Sequence, residues 1–427
     1  MFTPERFLSS TLQQHIHEKP ITRILVSAFN AVESGAAVKR YLHENKLPFA
    51  RRVFAFGLGK AACAMTQALA DEINLTDTLV VTKHVSSLTF EPVTVIEGDH
   101  PVPGDASVSA GLAALKFISQ LTPDDLLVCL ISGGGSALLT APHIPLADFQ
   151  SFTSTLLACG ARIDEINILR RHLDSLKGGG LARSANGAQI ISLILSDVVD
   201  DSLETIASGP TAPDPTTCAD ALSIIQKYNL LNKIPNSIFS SLHETLKADD
   251  PVFAKVQNTV IASNRIALFA AQAQAQLDGF QTNIIHMPLQ GEARIVGRDI
   301  ASGFKESLRT SHRPFCLLAG GETTVTLMES GKGGRNQELA LAAVDVLTGL
   351  KDVMFISLAT DGEDGPTDAA GSLVTGGSAQ RAESLGMSAA DYLSRNDAYS
   401  FFDALNDLIR TGPSGTNVND LVICFAF

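Results

Sequence analysis

The stretch from Leu126 to Leu139 constrains the fold of this chain more than any other. It begins with an unbroken apolar run, Leu126 to Ile131, and continues into a loop without bulky side chains, Ser132-Gly-Gly-Gly-Ser136. Such a run predicts a strand buried on both faces, as in a parallel sheet covered by helices. The glycines let the backbone turn sharply and direct several N–H groups at one point. The stretch therefore predicts an α/β fold with a candidate anion-binding loop at the carboxyl end of a strand.

Glycine turns recur along the chain, most of them beside a basic residue. A predicted strand from Val53 to Phe56 leads into Gly57, Gly59 and Lys60. The later turns are Lys177-Gly-Gly-Gly180, Gly320-Gly-Glu322 and Gly331-Lys-Gly-Gly-Arg335. Their repetition favours a polyanionic ligand, with phosphate as the obvious candidate, over unliganded turns. None is a Walker A loop or a Gly-x-Gly-x-x-Gly loop followed by an acidic ribose partner, so an ordinary dinucleotide site is not supported.

Two other predicted strands end in carboxylates. A run ending at Ser196 is followed by Asp197, and a run ending at Thr360 is followed by Asp361-Gly-Glu-Asp364. Carboxylates at strand carboxyl ends are common magnesium ligands and catalytic groups in α/β folds. The second segment has the composition of a calcium loop but not the EF-hand spacing, so we predict catalytic or magnesium-linked carboxylates there.

Two further segments leave a structural and a functional interpretation open. The basic run that starts at Arg170 leads directly into the glycine turn at Lys177. Such a run usually lies on a solvated face, although a bound anion would explain both features. His100 stands in a loop broken by prolines and glycines, where a lone histidine is more often structural than a ligand or base.

Composition narrows the class of protein. A chain of 427 residues exceeds what one core usually holds, so we expect two domains, residues 1–250 and 251–427. A net charge of −13 argues against nucleic-acid binding through a general basic surface. The six cysteines lack Cys-x-x-Cys spacing and fit the reduced thiols of a cytoplasmic protein. We find no signal-peptide pattern and no apolar run of transmembrane length, so we expect no membrane partner.

The motifs in combination resemble the glycerate 2-kinase family, whose later half is a module named MOFRL. They occur in order over nearly the whole chain: Lys60 after a Gly-x-Gly turn, Ser132-Gly-Gly-Gly-Ser-Ala137, Lys177-Gly-Gly179, Ser196-Asp-Val198 with Ser208-Gly-Pro-Thr211, Gly321-Glu-Thr-Thr324, Gly333-Gly-Arg-Asn-Gln-Glu338 and Asp364-Gly-Pro-Thr-Asp-Ala-Ala-Gly371. The resemblance implies an N-terminal Rossmann-like domain, with a mostly parallel sheet and helices on both faces. It also implies a C-terminal α/β MOFRL domain and an active site in the cleft between the two.

The resemblance further implies ATP-dependent phosphorylation of D-glycerate at the 2-hydroxyl, with ATP as donor and Mg²⁺ as cofactor. Its expected catalytic groups fall on Lys60, Asp197 and Arg335. Binding of phosphate, nucleotide or substrate is expected at Gly57, Gly59, Ser132, Gly133, Gly134, Gly135, Ser136, Lys177, Gly178, Gly321, Glu322, Thr323, Lys332, Gly333, Gly334, Asn336 and Glu338. Magnesium ligands are expected at Asp197, Asp361 and Asp364.

The residue types agree with phosphoryl transfer, which requires positioning and neutralisation of negative charge more than covalent chemistry. Lys60 and Arg335 would neutralise the transferring phosphoryl group and the glycerate carboxylate. Asp197 would accept the 2-hydroxyl proton or hold magnesium, and sequence does not separate these roles. Nor does it say which glycine loop holds ATP and which holds glycerate.

Two alternatives remain beside the kinase. One is a nicotinamide-dependent hydroxypyruvate reductase, a name often given to proteins of this kind, although its dinucleotide fingerprint is not found. The other is a sensor that binds glycerate or nucleotide without turnover. Loss of the lysine, aspartate or arginine would favour the sensor, and all three are present. A homodimer is compatible with the sequence, which does not itself fix an oligomeric state.

Overall fold

The computed structural model describes every residue from Met1 to Phe427, and the chain forms two compact units. The middle unit comprises residues 37–261, and the terminal unit combines residues 1–36 with residues 262–427. An early helix packs on a late one in the terminal unit, where Ser27 Oγ donates to the Ala270 carbonyl at 3.2 Å. The sequence analysis did not indicate this pairing of helices, and the domain division at residue 250 stays a prediction.

Twelve strands and seventeen α-helices make up the two units. The strands are β1 Val53–Leu58, β2 Asp77–Thr82, β3 Thr94–Glu97, β4 Leu126–Ile131, β5 Gln189–Leu195, β6 Val256–Ala262, β7 Gln281–Ile284, β8 Phe315–Gly321, β9 Val353–Ala359, β10 Gly371–Thr375, β11 Leu408–Ile409 and β12 Asp420–Ala426. The helices are α1 Ser10–Gln13, α2 Glu18–Ala31, α3 Ser34–Glu44, α4 Ala62–Ala70, α5 Asp105–Ser119, α6 Gly135–Leu138, α7 Leu146–Ala158, α8 Ile163–Arg171, α9 Gly180–Ser184, α10 Cys218–Lys227, α11 Asn236–Ser241, α12 Asn264–Leu277, α13 Ala293–Ser307, α14 Arg335–Leu347, α15 Ser378–Ser384, α16 Ala389–Ser394 and α17 Ala398–Leu405.

The middle unit is built on a six-stranded sheet of order β3-β2-β1-β4-β5-β6, in which β1 to β5 run parallel. This is the strand order of doubly wound dinucleotide-binding folds. The order reverses between β1 and β4, and ligands of such folds bind at the carboxyl ends of these strands. The prediction of a Rossmann-like parallel sheet is confirmed.

Strand β4 is the centre of this sheet, and all of its residues are buried. Side chains from Leu127, Cys129 and Ile131 pack into one apolar cluster with β1, β2 and α5. Because both faces are covered, only the strand ends are open to polar groups. The central strand therefore fixes where a site can lie in this unit.

An ion pair between a partly exposed arginine and a buried aspartate joins the amino ends of β1 and β4. Arg52 Nε and Nη2 donate to the two carboxylate oxygens of Asp125 at 2.9 and 2.6 Å. The same carboxylate accepts from the Thr122 amide and hydroxyl, both at 2.8 Å. The guanidinium of Arg52 is the main reason that the pKa of Asp125 falls to about 2.

The terminal unit contains a second six-stranded sheet, of order β11-β10-β9-β12-β8-β7. Only β7 and β8 pair in parallel, and β12 runs antiparallel to both of its neighbours. The register places Asp420, the first residue of β12, opposite Gly321 of β8 and Ala359 of β9. The start of β12 therefore lies at the carboxyl ends of those two strands.

The helices are too short or too polar for a bilayer: none combines the length and the apolar character that a membrane span requires.

We predict that Asp125→Asn destabilises the protein by about 1–3 kcal/mol at pH 7, because it removes a charged partner of several hydrogen bonds. A carboxyl pKa lowered from 3.8 to about 2 gives stability that is present above pH 4 and is lost between pH 4 and pH 2. The difference from wild type should therefore shrink across that window. Urea unfolding at several pH values measures it, with the exposed neighbour Asp124→Asn as control. A difference of the same size at pH 7 and pH 2.5 would refute the assignment.

Candidate active site

Two glycine turns of the middle unit are hydrogen-bonded to one another at the carboxyl ends of β1 and β4. The Lys60 amide donates to the Gly133 carbonyl at 3.0 Å, and the Ala61 amide donates to Ser132 Oγ at 3.0 Å. The Ser132 amide in turn donates to the Leu58 carbonyl at 2.8 Å. The turn after β1 and the loop after β4 thus form one continuous surface.

Lys60 and Asp197 both lie against this surface. A methyl group placed on Gly133 would come within 1.9 Å of Asp197 Oδ2, and one on Gly134 within 3.3 Å of the Lys60 side chain. Gly134 has a φ of 86°, which favours glycine, and it precedes α6. The amides of Gly133 and Gly134 make no hydrogen bond within the protein, so both remain available to an anion.

His100 borders the same loop, with its ring 3.4 Å from where a Gly134 methyl group would lie. Partial burial lowers the pKa of His100, and the nearby charges of Lys60 and Lys83 lower it further. The imidazole is therefore neutral near pH 7, beside an exposed Lys60 ammonium. Its position suits a hydrogen-bonding role next to the loop, which favours the functional interpretation that the sequence analysis left open beside the structural one.

A strained turn at residues 206–209 is hydrogen-bonded to the glycine loop. Ala207, Ser208 and Gly209 have φ values of 51°, 61° and 59°, a left-handed conformation that is costly for residues other than glycine. Ser208 Oγ and Ser136 Oγ are hydrogen-bonded at 2.7 Å. The amide of Gly178 donates to the Ser208 carbonyl at 3.0 Å, which ties the third glycine turn to the same structure.

Lys177 is buried and has partners inside the protein. Its Nζ donates to the Leu139 carbonyl at 2.6 Å and lies 3.2 Å from Asp174 Oδ2. Burial lowers the pKa of this lysine, and the Asp174 carboxylate opposes that effect. The structure therefore gives Lys177 a role in holding its loop, and ligand binding by its ammonium stays a prediction.

The terminal unit contains a cavity of about 720 Å³ at the carboxyl ends of β8 and β9 and the start of α14. Eight of the predicted site residues line it: Glu322, Thr323, Gly333, Gly334, Arg335, Glu338, Asp361 and Asp364. Three other predicted site residues of this unit do not line the cavity: Gly321, Lys332 and Asn336. Asn336 is buried beside Asp364 and Ser357, and the Lys332 ammonium lies over the Tyr399 ring.

Arg335 is held by two carboxylates. Its Nε and Nη2 donate to Asp420 at 2.6 and 3.1 Å, and its Nη1 donates to Glu322 at 2.6 Å. Asp420 is buried, and burial raises its pKa to about 6. The sequence analysis did not select Asp420, because its place beside β8 follows from the antiparallel direction of β12. The only sequence signal was an acidic residue at the start of an apolar run.

Asp364 serves the first turn of α14. Its carboxylate accepts from the amides of Asn336 at 3.0 Å and Gln337 at 2.8 Å, which otherwise lack partners at a helix start. Burial raises the pKa of Asp364 to about 7 despite these donors. Both of its oxygens are thus engaged, and Asp364 lines the cavity together with Asp361.

A buried network lies under the cavity. Glu338 accepts from Arg294 Nε at 2.8 Å and from Asn396 Nδ2 at 2.9 Å, and Asn396 Oδ1 accepts from the Met328 amide at 2.7 Å. By contrast, the Thr323 hydroxyl on the cavity wall is buried without a hydrogen-bond partner. Such a group is costly unless something pairs with it, so Thr323 fits a ligand contact.

Comparison with known proteins identifies two family matches and several close relatives. Residues 21–243 match a domain of unknown function, DUF4147, and residues 315–420 match the MOFRL family. A glycerate 2-kinase of Pyrococcus horikoshii is 40% identical over 87% of both chains. A crystal structure of glycerate kinase from Thermotoga maritima has a TM-score of 0.90 at 38% identity and covers 96% of this chain and 99% of that one. A putative hydroxypyruvate reductase of Agrobacterium vitis is 39% identical over 94% of this chain and 92% of its own.

We predict that Gly133→Ala destabilises the middle unit by about 1–3 kcal/mol, because the new methyl group must displace the Asp197 carboxylate. Gly303→Ala is the matched control, since Gly303 lies in helix α13 with open space around it. That variant should keep or gain stability. Urea unfolding of the three proteins is the measurement. Equal stability of Gly133→Ala and wild type would show that Asp197 does not press on the loop.

Proposed function

This chain belongs to the glycerate kinase family that carries the MOFRL domain, and on that basis we propose that it transfers the terminal phosphoryl group of ATP to glycerate. It is a kinase, and the match to glycerate kinases over nearly its whole length carries this conclusion. The finer proposal is transfer to the 2-hydroxyl of D-glycerate. The name of the Pyrococcus relative supports the 2-position.

The residues of the middle unit suit the transfer step. The exposed Lys60 ammonium and the amides of Gly133 and Gly134 offer positive charge and hydrogen-bond donors to a phosphoryl group. Asp197 lies against the same loop and is positioned to accept a proton from the attacking hydroxyl. Arg335 of the terminal unit is the third proposed catalytic group. Because Asp420 and Glu322 already balance its charge, we assign it to orientation of the phosphates through its remaining N–H groups.

We also propose that Mg²⁺ accompanies ATP. Oxygen donors suit this ion, and Asp197 and Asp361 carry carboxylates at strand ends in the two units. Asp364 is a poorer ligand, since the amides at the start of α14 engage its oxygens. When bound, the ion would neutralise phosphate charge, which the carboxylate-rich cavity of the terminal unit would otherwise repel.

The proposed location of the protein is the cytoplasm. The six cysteines form no disulfide, which supports a reducing, cytoplasmic compartment. A homodimer stays a prediction, and light scattering coupled to size exclusion would measure it directly.

A reductase is the second candidate. The strand order of the middle unit is that of dinucleotide-binding folds, and the turn after β1 reads Gly57-Leu-Gly-Lys-Ala-Ala62, with alanine at the third glycine position. One relative also bears that name. However, β2 ends at Thr82 and is followed by Lys83, where a site for NAD would place a carboxylate for the ribose.

A coupled assay separates these functions. Purified protein is incubated with D-glycerate, ATP and Mg²⁺ together with enolase, pyruvate kinase, lactate dehydrogenase and NADH, without phosphoenolpyruvate or phosphoglycerate mutase. Enolase accepts only the 2-phosphate, so NADH is consumed only if that product forms. A parallel reaction with added phosphoenolpyruvate reports ADP from any transfer. ADP without enolase product would overturn the 2-position, and consumption of NADH or NADPH with hydroxypyruvate by the protein alone would establish the reductase.

We predict that Lys60→Ala lowers kcat on the order of a thousandfold, because positive charge at a transferring phosphoryl group is worth about that much. The coupled assay measures the rate, and circular dichroism checks the fold. Lys46→Ala, at an exposed position, is the matched control and should behave as wild type. Turnover of Lys60→Ala at the wild-type rate would remove this lysine from the mechanism.

Asp197→Asn should lower kcat about 100- to 10,000-fold, the range for loss of a positioned base. The exposed Asp200→Asn is its control. A magnesium titration and a pH profile then separate the roles. Partial rescue by excess Mg²⁺ identifies a metal ligand, whereas loss of the acidic limb of the profile identifies a base. Full activity would assign Asp197 to the scaffold.

A further inference from the structure

Arg170 carries a charge that no group in the protein balances. It lies one residue before the end of α8, is largely shielded from solvent, and its Nε is buried without a hydrogen-bond partner. Its neighbour differs: Arg171 Nε lies 2.9 Å from Asp214 Oδ2. Burial lowers the pKa of Arg170, and no carboxylate counteracts this. A shielded, unpaired guanidinium is costly, so proteins rarely keep one without a ligand to pair with it.

The charges around Arg170 confirm this imbalance. Lys177, close enough for the Arg170 charge to act on it, is matched by Asp174, with Nζ and Oδ2 3.2 Å apart. The Asp174 carboxylate also accepts from the Thr140 hydroxyl and from the Ala141 amide. The lysine and the aspartate therefore neutralise each other. One positive charge, that of Arg170, is left over, and a singly charged anion would balance it.

Asn167 adds a second unsatisfied group on the same face of α8. It lies three residues before Arg170, which places both side chains on one side of the helix. Its Oδ1 is buried and accepts no hydrogen bond. The pair thus offers donors on the guanidinium and an acceptor one turn away. A hydroxy acid is complementary to both, since its carboxylate accepts and its hydroxyl donates.

The position of α8 connects these groups to the glycine loop. The helix packs against the turn Ile206–Ser208. Ser208 is hydrogen-bonded to Ser136 of the loop at 2.7 Å, and its carbonyl accepts from the Gly178 amide. The helix that carries Arg170 and Asn167 therefore packs in the same corner of the middle unit as the loop against which Lys60 and Asp197 lie.

Arg335 is less suited to the substrate carboxylate. Two carboxylates, Asp420 and Glu322, already hold its guanidinium, so the group has no net positive charge to offer a second anion. Arg170 has no such partner. The carboxylate that the sequence analysis left to Lys60 or Arg335 fits Arg170 better.

We propose that Arg170 binds the carboxylate of glycerate and that Asn167 Oδ1 accepts a hydrogen bond from one of its hydroxyls. This inference rests on the proposed function, because glycerate is the hydroxy acid that the site must hold. It makes Arg170 and Asn167 substrate-binding residues and leaves the transfer step to Lys60, Asp197 and Arg335.

Kinetics of Arg170→Gln test the carboxylate contact. Loss of a charge-assisted contact should raise KM for glycerate about 10- to 100-fold, while KM for ATP stays within about twofold of wild type. Arg162→Gln, an exposed arginine at the start of the same helix, is the matched control and should leave both constants unchanged. An unchanged KM for glycerate, or a rise in KM for ATP instead, would overturn the proposal.

Glyceramide, the uncharged amide of glycerate, gives a second test. Wild-type enzyme should prefer glycerate to the amide by about 10- to 100-fold in kcat/KM, and Arg170→Gln should lose most of that preference. Retention of the full preference by the variant would place the carboxylate elsewhere. If the wild-type enzyme phosphorylates neither compound, the proposed function itself is wrong. This outcome is distinct from failure of the Arg170 proposal, because that failure appears only in the comparison of the variant with an active wild-type enzyme.

Thermal melting separates binding from structure. Without ligand, Arg170→Met should melt at or above the wild-type temperature, because it removes an unpaired charge that is partly shielded from solvent. Added glycerate should raise the melting temperature of wild type and of Arg162→Gln but not that of Arg170→Met. A fall of several degrees in the unliganded variant, or an unchanged response to glycerate, would assign Arg170 to structure and overturn the proposal.

Discussion

Burial of β4 on both faces is the constraint on which the rest of the middle unit depends. A strand covered by helices on either side can present polar chemistry only at its ends. Its carboxyl end is followed by glycines, which let Lys60 and Asp197 approach the backbone more closely than any side chain at Gly133 or Gly134 would permit. The free amides, the lysine and the aspartate converge because the sheet order brings β1, β4 and β5 side by side.

The sequence was a good guide where a motif coincided with a strand end. It located the strand–glycine–lysine turn at Lys60 and the carboxylate at Asp197, because a parallel strand carries its polar residue to a known edge. It missed Asp420, because nothing in a single sequence fixes the direction in which β12 enters its sheet. The sequence analysis also predicted Lys177 as a binding residue, but it did not reveal its buried partner Asp174. Such a pair depends on tertiary packing, which a local sequence pattern does not show.

The two units differ in the balance of charge at their sites. In the middle unit the exposed Lys60 and the unpaired Arg170 leave positive charge near the glycine loop. In the terminal unit the cavity is mainly acidic, and Arg335 is enclosed by Asp420 and Glu322. An anion placed at the first site meets ready counter-charge. An anion at the second site requires a cation to accompany it. Nucleotides usually bind to kinases in this way, as complexes with Mg²⁺.

The position of β12 has a consequence for the order in which the protein is made. This strand lies between β9 and β8 in its sheet, yet it is the last of the twelve in the chain. During synthesis the two sides of this sheet therefore stay separate until residues 420–426 emerge from the ribosome. The helix α2, one of the first to be made, likewise waits for its partner α12, which is synthesised much later. The middle unit contains none of these residues. Cotranslational folding should thus proceed from the inside of the sequence outwards, with Asp420 among the last residues to reach its place.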